Sequence, residues 1–205
     1  RNETVGFLVE WSSDKETGPD PQGHDGHTIN LLPLIDPSKD TVDGTWKKEN
    51  GVLTVQATNS ANIEIPYRPP AEYDFRVTFV RHSGNRSVNQ ILTKNRKTFV
   101  WDFYHNRWGF YFIGKTNLDN PTVRKRPFVN GQRYTSTVHV RNDGVSVTVD
   151  GELVSSWKTD YKEMRITSNW ALRDPTLLGL GSDRNVTTFE KVELIEITGK
   201  GKPAR

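Results

Sequence analysis

The sequence predicts an all-β chain folded as a two-sheet antiparallel sandwich of the jelly-roll type. Three observations carry the prediction. Apolar and polar residues alternate in segment after segment, as in Tyr73, Phe75, Val77 and Phe79 against Asp74, Arg76 and Thr78; this is the pattern of a strand with one face on a core and the other in water. Turn dipeptides such as Asn50-Gly51 and Asp150-Gly151 separate the alternating runs, and tight hairpins need the positive φ that these residues tolerate. No long stretch carries a 3.6-residue period: the best candidate, residues 159–170, is short and holds β-branched residues.

In chain order, residues 1–28 form an N-terminal segment. From residue 12 onward it is polar, rich in Gly, Pro and Asp and without period, which reads as a linker or long loop. The domain proper runs over 29–200, with a tail at 201–205. Residues 45–56 read as a hairpin turning at Asn50-Gly51, and residues 73–81 as a strand. Residues 87–93 and 99–105 supply two more. A three-strand meander spans Tyr134 to Trp157, with turns at 142–144 and 150–151; in it Val138, Val140, Val145, Val147 and Val149 alternate with Thr137, His139, Arg141, Ser146 and Thr148. Residues 176–182 and 189–198 complete the set.

A chain of 205 residues suits one large domain. Its 33% hydrophobic and 26% charged residues fit sheets that are apolar on one face only. No apolar run approaches the roughly 20 residues of a membrane helix, so membrane insertion is not expected. The absence of cysteine excludes disulfides, thiolate metal sites and cysteine nucleophiles. The formal charge of +3 is spread along the chain apart from one cluster, Arg124-Lys125-Arg126-Pro127. Bulk nucleic-acid binding is therefore not expected.

Residues 31–55, 69–81, 140–161 and 170–182, in that order, resemble segments of a concanavalin A-like lectin/glucanase domain. The chain looks most like the sandwich domains appended to large bacterial extracytoplasmic or membrane-anchored proteins, and more distantly like the 3-keto-disaccharide hydrolases. The resemblance covers residues 29–200. It implies a curved sandwich whose concave sheet or rim loops carry the ligand, an extracytoplasmic location, covalently linked neighbouring domains and a poly- or oligosaccharide partner. It fixes no activity, because sandwiches of this kind serve as lectins, binding modules, hydrolases and lyases. No cofactor is expected. Many such sandwiches hold a structural Ca²⁺, for which Asp36, Asp40 and Asp43 are available, but no loop has recognisable ligand spacing. The His24-Asp25-Gly26-His27 run lacks a partner cluster, and metal stays unassigned.

Hydrolases of that superfamily place acids at alternate positions of one strand. Here the nearest run holds Glu190, Glu193 and Glu196, whose spacing of three sends neighbours to opposite faces. Glu190 and Glu196 share a face but stand ~20 Å apart, too far for paired-carboxylate hydrolysis. Asp102, beside Trp101, is the one weak catalytic candidate: an apolar pocket would prepare it as a general acid. Its competing role is a hydrogen-bonded partner for an arginine. The expectation leans away from an enzyme, toward a non-catalytic carbohydrate-binding or accessory domain, with a glycan-active hydrolase or lyase and a protein-interaction or spacer ectodomain as the alternatives.

Residues 99–112 hold eight aromatic side chains in fourteen positions. As a strand, Phe99, Trp101 and Phe103 point to the core, to pack on Phe75, Val77 and Phe79. Tyr104, His105, Arg107, Trp108 and Tyr111 remain near the turn, and such rings and planar polar groups suit sugars, whose C–H faces stack on aromatics while amides and charges satisfy hydroxyls. Arg76, Asn89, His139 and Arg141 lie opposite the apolar face of their strands, while Trp170, Arg173 and Asp174 share a loop. These are expected to join the site if they converge; each has an ordinary structural role as its alternative. The basic cluster and Arg133 make an anionic polysaccharide the specific guess, since arginine binds sulfate and carboxylate bidentately.

Overall fold

A computed structural model describes residues 27–111, 113 and 119–205. The N-terminal segment up to Gly26, including most of the expected linker, lies outside the described residues. In chain order the strands are β1 (Thr28–Asn30), β2 (Thr41–Asp43), β3 (Trp46–Glu49), β4 (Val52–Val55), β5 (Ala61–Ile65) and β6 (Tyr67–Arg68). Then come β7 (Glu72–Ser83), β8 (Val88–Lys94), β9 (Lys97–Tyr104), β10 (Arg107–Phe110) and β11 (Arg124–Lys125). The last six are β12 (Arg133–Val140), β13 (Gly144–Val149), β14 (Glu152–Lys158), β15 (Leu178–Ser182), β16 (Val186–Thr198) and β17 (Lys202–Pro203). One helical turn, α1 (Pro37–Asp40), is capped by Asp36, which accepts from Ser38 N at 3.1 Å.

Two antiparallel sheets face each other. An eight-stranded sheet runs β14-β13-β12-β7-β16-β4-β3 with β1 beside β16, and a seven-stranded sheet runs β11-β10-β9-β8-β15-β5-β2. The chain is thus an all-β, two-sheet sandwich of jelly-roll type. Local chemistry sets the hairpins. Asn50 (φ 49°) with Gly51 (φ 76°), and Asp150 (φ 51°) with Gly151 (φ 83°), supply the paired positive φ values of tight turns. A third such turn, Asn95-Arg96 with φ 51° and 61°, joins β8 to β9 without a glycine. The tail is tied down: β17 pairs with β6, and the Arg205 guanidinium clasps the Asp40 carboxylate, with Nη2 donating to Oδ2 at 2.7 Å.

Phe75, Val77 and Phe79 of β7 and Phe99, Trp101 and Phe103 of β9 share one core cluster, with Phe79 edge-on to Phe103 at 5.2 Å. Each such side chain contributes roughly 1.5–3 kcal/mol by burial. Trp108 belongs to this core too, which corrects its expected place among exposed rings near the turn. The turn at His105-Asn106 pairs Tyr104 with Arg107 and Trp108 with Phe103. Cross-strand partners share a face, so Trp108 points inward, 4% exposed and edge-on to Phe103 at 5.0 Å.

A smaller apolar cluster covers the outer face of the seven-stranded sheet. Trp170, Leu172 and Leu177, from the segment between β14 and β15, pack on Ile91 and Val100. Two glycines of β15 provide the flat track. A Cβ on Gly181 would stand 2.7 Å from the Trp170 ring, and one on Gly179 would stand 3.0 Å from Leu172 Cδ2. No helix among the described residues is long and apolar enough to cross a membrane.

Candidate functional site

The segment carrying Trp170 covers only part of the outer face, and a cleft of about 280 Å³ lies at the β9–β10 end. It is lined by Asp102, Tyr104 and Arg107, by Gly109, Phe110 and Tyr111, and by Asn120 and Val123. Asp102, Tyr104 and Arg107 fall on one face by strand alternation and by the Tyr104–Arg107 pairing. Gly109 keeps the wall tight, since a Cβ there would meet Val123 Cγ2 at 2.7 Å. Asn120 braces the far side, donating from Nδ2 to Phe110 O at 2.6 Å and accepting from Thr122 N at 3.0 Å.

Asp102 is the chemical centre of the cleft. It is 6% exposed, and burial pushes its carboxyl up to about 7, opposed by hydrogen bonds from Ser87 and Tyr111 and reinforced by the negative charge of Asp183. The Tyr111 hydroxyl is driven upward by burial and by the same carboxyl, while the Trp170 indole N–H donates to it. Asn89, fully buried beside Asp102, completes the group. Outside it, Tyr104 is half-buried and its hydroxyl accepts from Arg86 Nη1 at 2.7 Å.

The expected residues do not all converge. Asn89, Asp102, Tyr104, Arg107 and Trp170 gather on the outer face of the seven-stranded sheet, and His105 sits in its turn at φ 49°. Arg76, His139 and Arg141 lie on β7, β12 and the turn after it, on the outer face of the opposite sheet. They cannot share a site with Asn89: alternation gives the face of a strand but not the sheet to which the strand belongs. There Asp74 Oδ1 lies 3.0 Å from His139 Nδ1 and 2.8 Å from Arg141 Nη1, while Arg76 stands 3.3 Å from Glu193. Those neighbours hold the Asp74 carboxyl below its usual value against the upward pull of burial.

Trp170 closes the small apolar cluster at 5% exposure. Arg173 and Asp174 pin their loop through other partners: Arg173 Nε donates to Glu64 Oε2 at 3.0 Å, and Asp174 Oδ2 accepts from Arg68 Nη2 at 2.8 Å. Arg126 of the basic cluster donates from Nη1 to Glu152 Oε2 at 2.9 Å, and Arg133, outside the cluster, donates from Nε to Glu190 Oε2 at 2.6 Å. Both are thereby neutralised at the surface. The remaining carboxylates are scattered. Glu196 Oε1 accepts from the Tyr67 hydroxyl at 2.9 Å, and Asp36 and Asp40 serve α1 and Arg205. Among the described residues no group of three or more His, Asp or Glu comes together as a metal site would require.

Ser87, Arg86, Gly109 and Asn120 were missed by sequence reasoning. Asn120-Pro121 is a turn signal and marks a connection, though not its contact with Phe110. Nothing local marks Ser87, which reaches Asp102 only through the pairing of β8 with β9.

No protein-family profile matches the sequence, and no curated protein matches it. Several solved structures share its two-sheet jelly-roll fold at low identity. The carbohydrate-binding module CBM66 from Bacillus subtilis is 12% identical, with a TM-score of 0.57 over 76% of this chain and 94% of that one. The κ-carrageenase from Pseudoalteromonas carrageenovora, solved with an oligosaccharide of κ-carrageenan, is 11% identical, with a TM-score of 0.57 over 88% and 99%. The exoplasmic/lumenal domain of VIP36, in a Ca²⁺- and Man2-bound form, is 12% identical, with a TM-score of 0.55 over 86% and 90%.

Proposed function

We propose that this chain is a non-catalytic carbohydrate-binding or accessory domain of a larger exported bacterial protein, and that the β9–β10 cleft takes an acidic poly- or oligosaccharide. One observation carries the reading: the cleft sets the rings of Tyr104 and Tyr111 beside the carboxyl of Asp102 and the guanidinium of Arg107. Rings stack on sugar C–H faces, and the charged groups answer hydroxyls and anionic substituents. The solved structures that share the fold include a carbohydrate-binding module, which supports the same class of ligand.

On β9 the outward neighbours of Asp102 are Val100 and Tyr104, so the strand offers one acid where paired-carboxylate hydrolysis needs two about 5 Å apart. A glycan array with neutral, uronate and sulfated sets tests the proposal. Retention of acidic members is expected, and retention of none overturns it. A second reading, a glycan-active hydrolase or lyase, is favoured by the Asp102 carboxyl at about 7, a value suited to proton donation at neutral pH. Release of reducing ends from the same polymers, abolished in Asp102→Asn, would establish it.

A further inference from the structure

Arg81 is a buried cation with no carboxylate partner among the described residues. It ends the inward row Phe75, Val77, Phe79 of β7, is 3% exposed, and lies with Cζ 3.7 Å from the centre of the Phe128 ring. A buried guanidinium ordinarily faces a carboxylate. Even the exposed and half-buried Arg68, Arg126, Arg133, Arg173 and Arg205 each face a carboxylate in this chain. Arg81 instead meets three neutral oxygens: Asn130 Oδ1 at 2.6 Å, Arg86 O at 3.1 Å and Phe128 O at 2.6 Å. Of five guanidinium N–H groups, these use three. Burial pulls its pKa down with no carboxylate to oppose it, but arginine keeps its proton in proteins.

Arg81 borders a second cavity, about 440 Å³, on the far side of Tyr104 from Asp102. Its other walls are Asn85, His105, Asn106, Arg107 and Phe128, with no Asp or Glu among them. Arg107 is exposed and makes no ion pair among the described residues. Two guanidinium groups, an imidazole and two amides therefore surround a space that holds no counter-charge, at a volume within the roughly 300–1,000 Å³ of small-molecule sites. Such a group of donors fits a tetrahedral or planar oxyanion, which arginine takes through two parallel N–H bonds.

We infer that the cavity between Arg81 and Arg107 is an oxyanion subsite, which binds a sulfate ester or a carboxylate on a sugar whose ring lies against Tyr104. The inference rests on the carbohydrate reading above for the sugar, and for the anion on Arg81 with Arg107 and the other donors of the cavity wall. Inorganic sulfate, titrated into ¹⁵N-labelled protein, is expected to shift the Arg81 Nε–H signal saturably, and an unmoved signal overturns the subsite. Calorimetry with a sulfated galactan tetrasaccharide, its desulfated counterpart and an oligogalacturonate separates the two sources of the anion.

At least one acidic ligand is expected to bind roughly tenfold more tightly than the desulfated sugar, the factor that corresponds to one charge-assisted hydrogen bond. Equal affinities overturn the proposal and leave carbohydrate binding standing. A sulfate-induced shift with no sugar bound keeps the anion subsite and removes the carbohydrate reading. Arg81→Gln is expected to abolish the preference. Should that variant fail to fold, exposed Asn85→Asp, which sets a negative charge on the cavity wall, is expected to abolish it in a folded protein, and an unchanged preference in Asn85→Asp overturns the assignment.

Discussion

Asn89 and Asp102 stand opposite each other on β8 and β9, and with the amide nitrogen turned toward the carboxyl, Asn89 Nδ2 donates to Asp102 Oδ1 at 2.7 Å and to Val88 O at 3.1 Å. The donor favours the ionised acid while burial favours the neutral one, and burial wins: the carboxyl titrates at about 7 against an ordinary 3.8. The native state thus holds this proton more tightly than the unfolded chain does, so the associated stability is complete below the ordinary value and is lost as pH rises toward about 7. Each unit of difference amounts to roughly 1.4 kcal/mol. Asp102→Asn should remove this slope, so that urea midpoints of wild type and variant diverge as pH rises through that window and run parallel above it. Parallel curves throughout would show that the acid is solvated.

Removing the Asn89 donor should move the same titration. Asn89→Leu leaves Ser87 and Tyr111 as the hydrogen-bond donors to Asp102, and the neutral form gains. The Asp102 side-chain ¹³C resonance should titrate at higher pH in the variant than in the wild type. A midpoint moved to lower pH would place the Asn89 amide in its other orientation, with its oxygen facing the acid.

Trp108 tests the sorting of rings between core and cleft. It packs edge-on to Phe103 and to Tyr134, at 5.0 and 5.7 Å, and its Nε1 is enclosed without a hydrogen-bond partner among the described residues. Trp108→Ala should cost about 3–5 kcal/mol of stability. Trp108→Phe should cost much less, since it keeps an aromatic ring and removes a donor that bonds to nothing. Chemical denaturation of both variants measures this. A stable Trp108→Ala protein would return the ring to the surface.

The alternating segments and the Asn-Gly and Asp-Gly turns made the sandwich legible, because strand faces and hairpins are local properties. The site was legible only in part. Tyr104 and Asp102 could be placed outward from the period of β9, but Trp108 went inward because the two-residue turn at His105-Asn106 sets the register. Arg76, His139 and Arg141 shared the alternation of Asn89 and still landed on the opposite sheet, since long-range pairing decides sheet membership. Gly179 and Gly181 are the seats of Leu172 and Trp170, which no sequence period reveals.

That seat is open to a one-atom test. Gly181→Ala would drive a methyl to 2.7 Å from the Trp170 ring, and overpacking of this kind costs about 1–3 kcal/mol. Displacing Trp170 also withdraws the indole N–H from the Tyr111 hydroxyl, next to Asp102. The variant should therefore lose stability and red-shift the part of the tryptophan emission that Trp170 contributes. Gly181→Ala with unchanged melting and emission would mean that the covering segment rides loosely on the sheet.

Tyr104 divides the two cavities, and its variants separate stacking from hydrogen bonding. The ring is half-buried, and Arg86 Nη1 reaches its hydroxyl at 2.7 Å. Tyr104→Ala removes the stacking surface and should weaken a glycan retained on the array by about 1–3 kcal/mol. Tyr104→Phe keeps the ring and frees the Arg86 guanidinium, so its loss should be the smaller for a neutral sugar. For an acidic sugar it should be smaller still, because a released cation beside the ring can turn to the anionic substituent. Calorimetry on both variants with matched neutral and acidic oligosaccharides reads the two contributions apart. If Tyr104→Ala binds as tightly as wild type, the β9–β10 cleft is not where the sugar lies.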